Sequence, residues 1–175
     1  MPHFENSFAE RGAPILARNV ERDFSKRDHL SWTHLAQIRG QWKGRLIVKG
    51  IMSAADAGLA REAGADGIVV SNHGGRQLEG TASPLRVLPD VARAAGDMTV
   101  MIDGGIRRGT QVLKALALGA KFVFVGRPFN YAAAVGGEAG VGHAIRLLAV
   151  EIERDMALLG VNSLAEMGPE RLMRL

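Results

Sequence analysis

The chain contains no cysteine. No disulfide can brace it and no thiolate can hold a metal, and the composition fits a reducing compartment. Aromatic residues make up only 5% of the chain, and its 22 Lys and Arg are interspersed with 18 Asp and Glu. The basic residues cluster only around Arg22 to Arg27 and at Arg107-Arg108. A nucleic-acid surface needs a concentrated basic face with stacking aromatics, so no nucleic-acid partner is expected. No apolar run approaches the roughly 18 residues that a membrane-crossing helix needs. The opening Met1 to Gly12 also lacks the basic-then-apolar order of an export signal, which points to the cytoplasm.

What is present suits a soluble globular unit. The 175 residues are 47% apolar, enough for a sizeable core. One unit is expected over 1–175, with residues 1–30 as loop or irregular helix and residues 31–175 as the folded part.

Short β-branched apolar runs alternate with amphipathic helical stretches, the pattern of parallel βα units. Leu46 to Lys49 predicts a strand, followed by a helix over Ser53 to Ala63, with Ser53 as N-cap and Gly64 as stop. Gly67 to Ser71 precedes a helix over Pro84 to Ala95, and Thr99 to Ile102 precedes one over Thr110 to Leu118. Lys121 to Val125 enters a helix near Pro128. A leading helix over Ser31 to Trp42 and a long one over Glu138 to Leu159 flank these units. Nearly continuous apolar strands predict burial on both faces. Four βα units make half of an eight-stranded barrel, whose usual length is about 250 residues. An open doubly wound sheet could use the same units, and periodicity does not separate the two.

In either architecture chemistry gathers at the carboxyl ends of the strands. Those ends read Lys49-Gly50, then Ser71-Asn72-His73-Gly74-Gly75-Arg76, then Asp103-Gly104-Gly105-Ile106-Arg107-Arg108-Gly109, and Gly126-Arg127-Pro128. A strand-end lysine needs a counter-charge or a ligand, so Lys49 either meets a bound molecule or pairs with an acid such as Asp103. His73 and Arg76, separated by two glycines, can aim a proton acceptor and a bidentate carboxylate clamp at one small acid. A structural histidine at a turn is the alternative. The two glycine-rich loops supply backbone N–H groups, a helix N-terminus and Arg107 and Arg127, a combination suited to an anion. His3, His29, His34 and His143 have no neighbours at catalytic or metal-ligand spacing, so no metal site is expected. The methionines look like core filler, and Glu151 to Asp155 like a solvated helix face.

The octapeptide Ser71 to Leu78 resembles the signature of the FMN-dependent α-hydroxy-acid dehydrogenase and oxidase family, which includes L-lactate dehydrogenase, (S)-mandelate dehydrogenase and glycolate oxidase. Val48-Lys49-Gly50, Asp103 to Gly109, Leu116 to Ala120, Gly126-Arg127-Pro128 and the Leu159-Gly160 turn follow in that family's order. The likeness runs from about Asp28 onward, and Met1 to Phe8 looks like part of the family's loop after its fourth strand.

The resemblance implies the C-terminal half of a TIM (β/α)8 barrel that binds FMN and oxidises a lactate- or mandelate-like 2-hydroxy acid to the 2-oxo acid. Lys49 would lie by the N1/C2 carbonyl edge of the isoalloxazine, and Ser71 would also touch the flavin. His73 would take the substrate proton and Arg76 would grip its carboxylate. Asp103 would bond the ribityl chain, or serve as a structural turn residue. Gly104, Gly105, Arg107, Gly126 and Arg127 would cradle the phosphate. The family's first four βα units, with the aspartate that orients the histidine, are not in this sequence, so the implied partner is the N-terminal half of the barrel. A homo-oligomer, in the cytoplasm or on the inner membrane face, is also implied. The competing expectations are a non-catalytic flavin-binding or assembly module, and a phosphate-binding barrel isomerase or synthase.

Overall fold

The computed structural model describes residues 30–173, so the expectations for His3, His29 and Met1 to Phe8 lie outside the described residues. A compact unit begins at Trp32. Its order is α1 (Trp32–Gln41), β1 (Ile47–Ile51), α2 (Ala54–Glu62), β2 (Gly67–Val70), α3 (Pro84–Ala94), β3 (Thr99–Ile102), α4 (Gly109–Ala117), β4 (Phe122–Val123) and α5 (Arg127–Leu159).

Local chemistry sets the ends of these elements. The Ser53 hydroxyl accepts the Asp56 N–H at 3.0 Å and opens α2. Helix α5 breaks at Gly136 and Gly137, where Gly137 reaches φ +54°, so residues 127–135 and 138–159 are separate helical runs. Asp66 ties the entrance of the sheet together: its carboxylate accepts the Leu46 N–H at 2.8 Å and the Arg39 guanidinium at 3.0 Å. The Leu46 N–H, and after it Arg39, hold this carboxyl below the usual carboxylate range.

The four strands form one parallel sheet in the order β1-β2-β3-β4. A doubly wound sheet reverses its strand order at a switch point and carries helices on both faces. Here every strand lies beside its predecessor. Ala57 and Ala60 of α2, Leu88 and Val91 of α3, and Ala115 of α4 share one core with Ile68, Val70, Val100 and Ile102. The sheet is therefore singly wound, an arc of barrel wall with its helices outside.

The opposite face carries the alternate positions Ile47, Lys49, Val69, Met101 and Phe122. Burial on both faces holds for β2, whose four residues are all buried. It fails for the outer strands, where Ile47 is 43% and Phe122 54% exposed. Among the described residues these strands end the arc and have a neighbour on one side only. Strand β4 is correspondingly brief, although backbone bonds from Lys121 to Val100 and from Phe124 to Ile102 extend its pairing.

One irregularity places a functional side chain. Lys49 pairs with Val69, but Ile51 pairs with Val70, so Gly50 at φ +104° is an extra residue in β1. The bulge turns Ile51 into the core while Lys49, of the same parity, faces away from the helices.

Candidate active site

The carboxyl ends of β1, β2 and β3 meet at Ser71, which is 3% exposed. Its hydroxyl accepts from Lys49 Nζ at 3.0 Å and from the His73 N–H at 3.1 Å, and donates to Asp103 Oδ1 at 2.5 Å. Lys49 Nζ also lies 2.6 Å from Asp103 Oδ2. The charge of the strand-end lysine is thus met by Asp103, and the three side chains fix one another.

Beyond Ser71 the chain turns left-handed through three residues, with φ +55° at His73, +67° at Gly74 and +72° at Gly75. For a non-glycine residue this conformation costs about 1–2 kcal/mol, so His73 is held there against its own preference. The restraint comes from both sides. Asn72 Oδ1 accepts the Gly75 N–H at 3.1 Å, and its amide donates to the Ala82 carbonyl at 3.2 Å. Across the cleft, the Arg127 guanidinium donates to the Gly74 carbonyl at 3.0 Å. The His73 ring and the Arg76 guanidinium are exposed and meet no side-chain partner among the described residues.

The loop after β3 is anchored by Ile106, 5% exposed, between Gly105 and Arg107. A Cβ at Gly104, whose φ is +98°, would stand 3.2 Å from Asn72 Oδ1 and from Pro84 Cγ, so this turn tolerates only glycine. Sequence reasoning offers the N-terminus of α4 to an anion, and the structure corrects this. Gln111 Oε1 accepts the N–H groups of Arg107 at 2.7 Å and Arg108 at 3.1 Å, and Glu151 accepts that of Gly109 at 2.8 Å. Those three donors at the helix end are met by the protein itself. The N–H groups of Gly104, Gly105 and Gly126 donate to no described residue.

A cavity of about 260 Å3 opens among these ends, walled by Lys49, His73, Arg76, Asp103, Gly104, Gly105, Arg107, Gly126 and Arg127. The candidate site residues of the sequence therefore converge, with Ser71 lying beneath. Ser71 reaches a neighbouring cavity of about 380 Å3, shared with Lys49, His73, Gln77 and Leu78. His143 is exposed on α5, away from this convergence. No group of three or more metal-ligating side chains forms among the described residues. Three working residues escape sequence reasoning: Asn72, Gln111 and Glu151. The first two are amides with no charge to flag them. Glu151 sits 42 positions from the N–H it accepts, and only the packing of α5 on α4 joins them.

The sequence matches the FMN-dependent dehydrogenase family over residues 5–174. The chain belongs to that family. It is 52% identical over 160 residues to an L-lactate dehydrogenase of Caulobacter sp. (strain K31), covering 87% of this chain and 42% of that protein. An L-lactate dehydrogenase of Azorhizobium caulinodans is 51% identical, with 83% and 39% covered. Among solved structures, a soluble mutant of the membrane-associated (S)-mandelate dehydrogenase from Pseudomonas putida superposes with a TM-score of 0.80 at 41% identity, covering 83% of this chain and 41% of that one. A mandelate oxidase superposes at 0.73 with 44% identity, covering 78% and 42%. The chain spans about two fifths of the length of these relatives, as an arc of four strands in an eight-stranded barrel would.

The cavity fits the phosphate-bearing cofactor this family uses. A Cβ at Gly105 or Gly126 would meet nothing within 4 Å, so the backbone there is open to an approaching group. Arg107 and Arg127 face the same space, and neither has an acidic partner among the described residues. No helix of the described residues is long and apolar enough to cross a membrane.

Proposed function

We propose that this chain supplies the proton acceptor, the carboxylate clamp and the phosphate cradle of an FMN-dependent enzyme that oxidises a 2-hydroxy acid of lactate or mandelate type to the 2-oxo acid. The observation that carries this reading is the convergence of His73, Arg76 and Lys49 with the Gly104 to Arg107 and Gly126-Arg127 loops on one cavity.

Bound FMN would supply the acceptor for the two electrons that leave the substrate α-carbon. Arg76, exposed at the cavity wall and without a side-chain partner among the described residues, binds the carboxylate in a bidentate pair and so fixes the α-carbon. His73 accepts the hydroxyl proton through a ring held outward by its left-handed backbone. Lys49, steadied by Asp103 and Ser71, contributes fixed positive charge. Asp103 would bond the ribityl chain and Ser71 would touch the flavin, while Gly104, Gly105, Arg107, Gly126 and Arg127 would hold the phosphate.

The barrel arc needs its complement, the N-terminal half, from the same polypeptide or from a second one. We place the assembled enzyme in the cytoplasm or on the inner membrane face, as a homo-oligomer. The membrane alternative draws on one (S)-mandelate dehydrogenase relative that is described as a monotopic membrane protein.

One observation favours a second reading. No carboxylate orients the His73 ring among the described residues, and a base without its orienting partner is weak. On that reading the chain by itself is a flavin-binding module that does not turn over.

Co-expression with the N-terminal half of the Caulobacter relative, followed by anaerobic addition of L-lactate or (S)-mandelate, tests both. Bleaching of a flavin band, abolished in His73→Ala and Arg76→Ala, is the expected result. Stoichiometric FMN without bleaching across 2-hydroxy acids supports the second reading, and a colourless complex rejects both.

A further inference from the structure

The phosphate loop carries two adjacent arginines, Arg107 and Arg108, and the structure gives them different work. Arg107 lines the cavity and has no acidic partner among the described residues. Arg108 turns away, with its Nε 2.8 Å from Glu151 Oε1. The other oxygen of Glu151 accepts the Gly109 N–H at 2.8 Å. One carboxylate on the second run of α5 thus takes both the arginine that the cavity does not use and a backbone donor at the start of α4.

The approach of the two helices is close. A Cβ at Gly109 would stand 2.7 Å from Glu151 Cβ and 2.7 Å from the Ile152 nitrogen, so α4 begins directly against α5. Gln111 adds to this by accepting the N–H groups of Arg107 and Arg108. A helix N-terminus left open beside an anion pocket would compete for the anion and draw the loop toward itself. Here the N–H groups of Arg107, Arg108 and Gly109 are already taken, and those of Gly104 and Gly105, on the cavity side of Ile106, donate to no described residue.

We propose that Glu151 is a positioning residue for the flavin phosphate: by engaging Arg108 and the Gly109 N–H it fixes the loop after β3, so that Arg107 and the Gly104-Gly105 turn present to the cavity. This rests on the reading that the cavity takes FMN. Glu151 itself lies outside the cavity and touches no cofactor.

The two flavins FMN and riboflavin, which differ by the phosphate alone, separate positioning from general support of the fold. In the complex with the N-terminal half, Glu151→Ala weakens FMN about tenfold, the scale of removing one charge-assisted hydrogen bond, while riboflavin affinity stays within about twofold. Glu151→Gln, which keeps an acceptor for Gly109 and folds if the alanine variant does not, falls between wild type and Glu151→Ala in the same FMN to riboflavin ratio. Arg108→Ala gives a similar loss, and the double variant Arg108→Ala, Glu151→Ala loses less than the sum of the two. Equal weakening of both flavins, or an unchanged ratio in Glu151→Gln and Arg108→Ala, overturns the positioning role. Failure of the wild-type complex to bind FMN at all would instead overturn the cofactor reading on which it rests.

Discussion

His73 combines an unfavourable backbone with a ring that meets no side-chain partner among the described residues, and the two properties predict different variants. His73→Gln keeps the bulk and loses the base, so kcat falls roughly 100-fold to 10,000-fold with little change in melting temperature. Arg76→Lys keeps the charge and loses the fork, so KM for the 2-hydroxy acid rises more than kcat falls. Gly74→Ala places a Cβ at φ +67°, 3.2 Å from the Arg127 guanidinium, and costs about 1–2 kcal/mol. Its melting temperature drops and its kcat drops with it, because the same turn carries the base. Steady-state kinetics and calorimetry on the three variants check these outcomes. The charged and imidazole residues of the site are legible in the sequence because glycine-rich strand ends concentrate few functions. The sequence offers Lys49 either a bound molecule or an acid such as Asp103; in the fold it pairs with Asp103, shares Ser71 with it, and still lines the cavity. Asn72 is not legible, since the segments it joins, Gly75 and Ala82, are brought together only by the folded loop.

Helix ends and their acids define the next scale. Glu151 is held below the usual carboxylate range, first by the Gly109 N–H and then by Arg108. Asp66 is held low by the Leu46 N–H and by Arg39. A carboxyl whose folded pKa is depressed stabilises fully above its unfolded value, about 4 for these residues, and that contribution is lost as pH falls through the folded value. Melting temperature measured from pH 6 down to about pH 3 should therefore fall more steeply in wild type than in Glu151→Gln or Asp66→Asn. The variants should be less stable near neutrality, with the gap closing in acid. Parallel slopes would remove the linkage. Element boundaries are largely legible: β3 spans Thr99 to Ile102 as read from the sequence, and the Gly136-Gly137 break divides α5 where two helices are expected. The capping of α4 is not legible, because one of its acceptors comes from a helix distant in the chain. Glu151 accordingly leaves the solvated face assigned to it, while Glu153 and Arg154 remain exposed.

At the scale of the molecule, the arc has a covered outer face and an inner face that is buried at its centre, on β2, and exposed at its outer strands. Ile47, Phe122 and Phe124 are each more than 40% exposed, and among the described residues both outer strands have an unpaired edge. Such a surface is satisfied by more sheet. The chain expressed by itself should self-associate and bind a hydrophobic dye, and co-expression with the N-terminal half should suppress both, as read by light scattering and dye fluorescence. A monodisperse, dye-silent single chain would contradict the half-barrel. That the units are βα repeats is legible from period alone. The choice of barrel over doubly wound sheet is not, because it depends on which face the helices take, and a βα pattern is silent about sides.

The bond from Arg127 to the Gly74 carbonyl joins the two ends of the cavity. The guanidinium that faces the phosphate loops also braces the turn from which the base projects, so whatever orders one end lowers the entropy still to be lost at the other. On the proposed reading, with an inert carboxylate such as oxalate at Arg76, the expected outcome is that oxalate tightens the cofactor, and reciprocity makes that factor equal to the one by which the cofactor tightens oxalate. Arg127→Ala would bring that factor toward one, leaving two neighbouring sites that no longer inform each other.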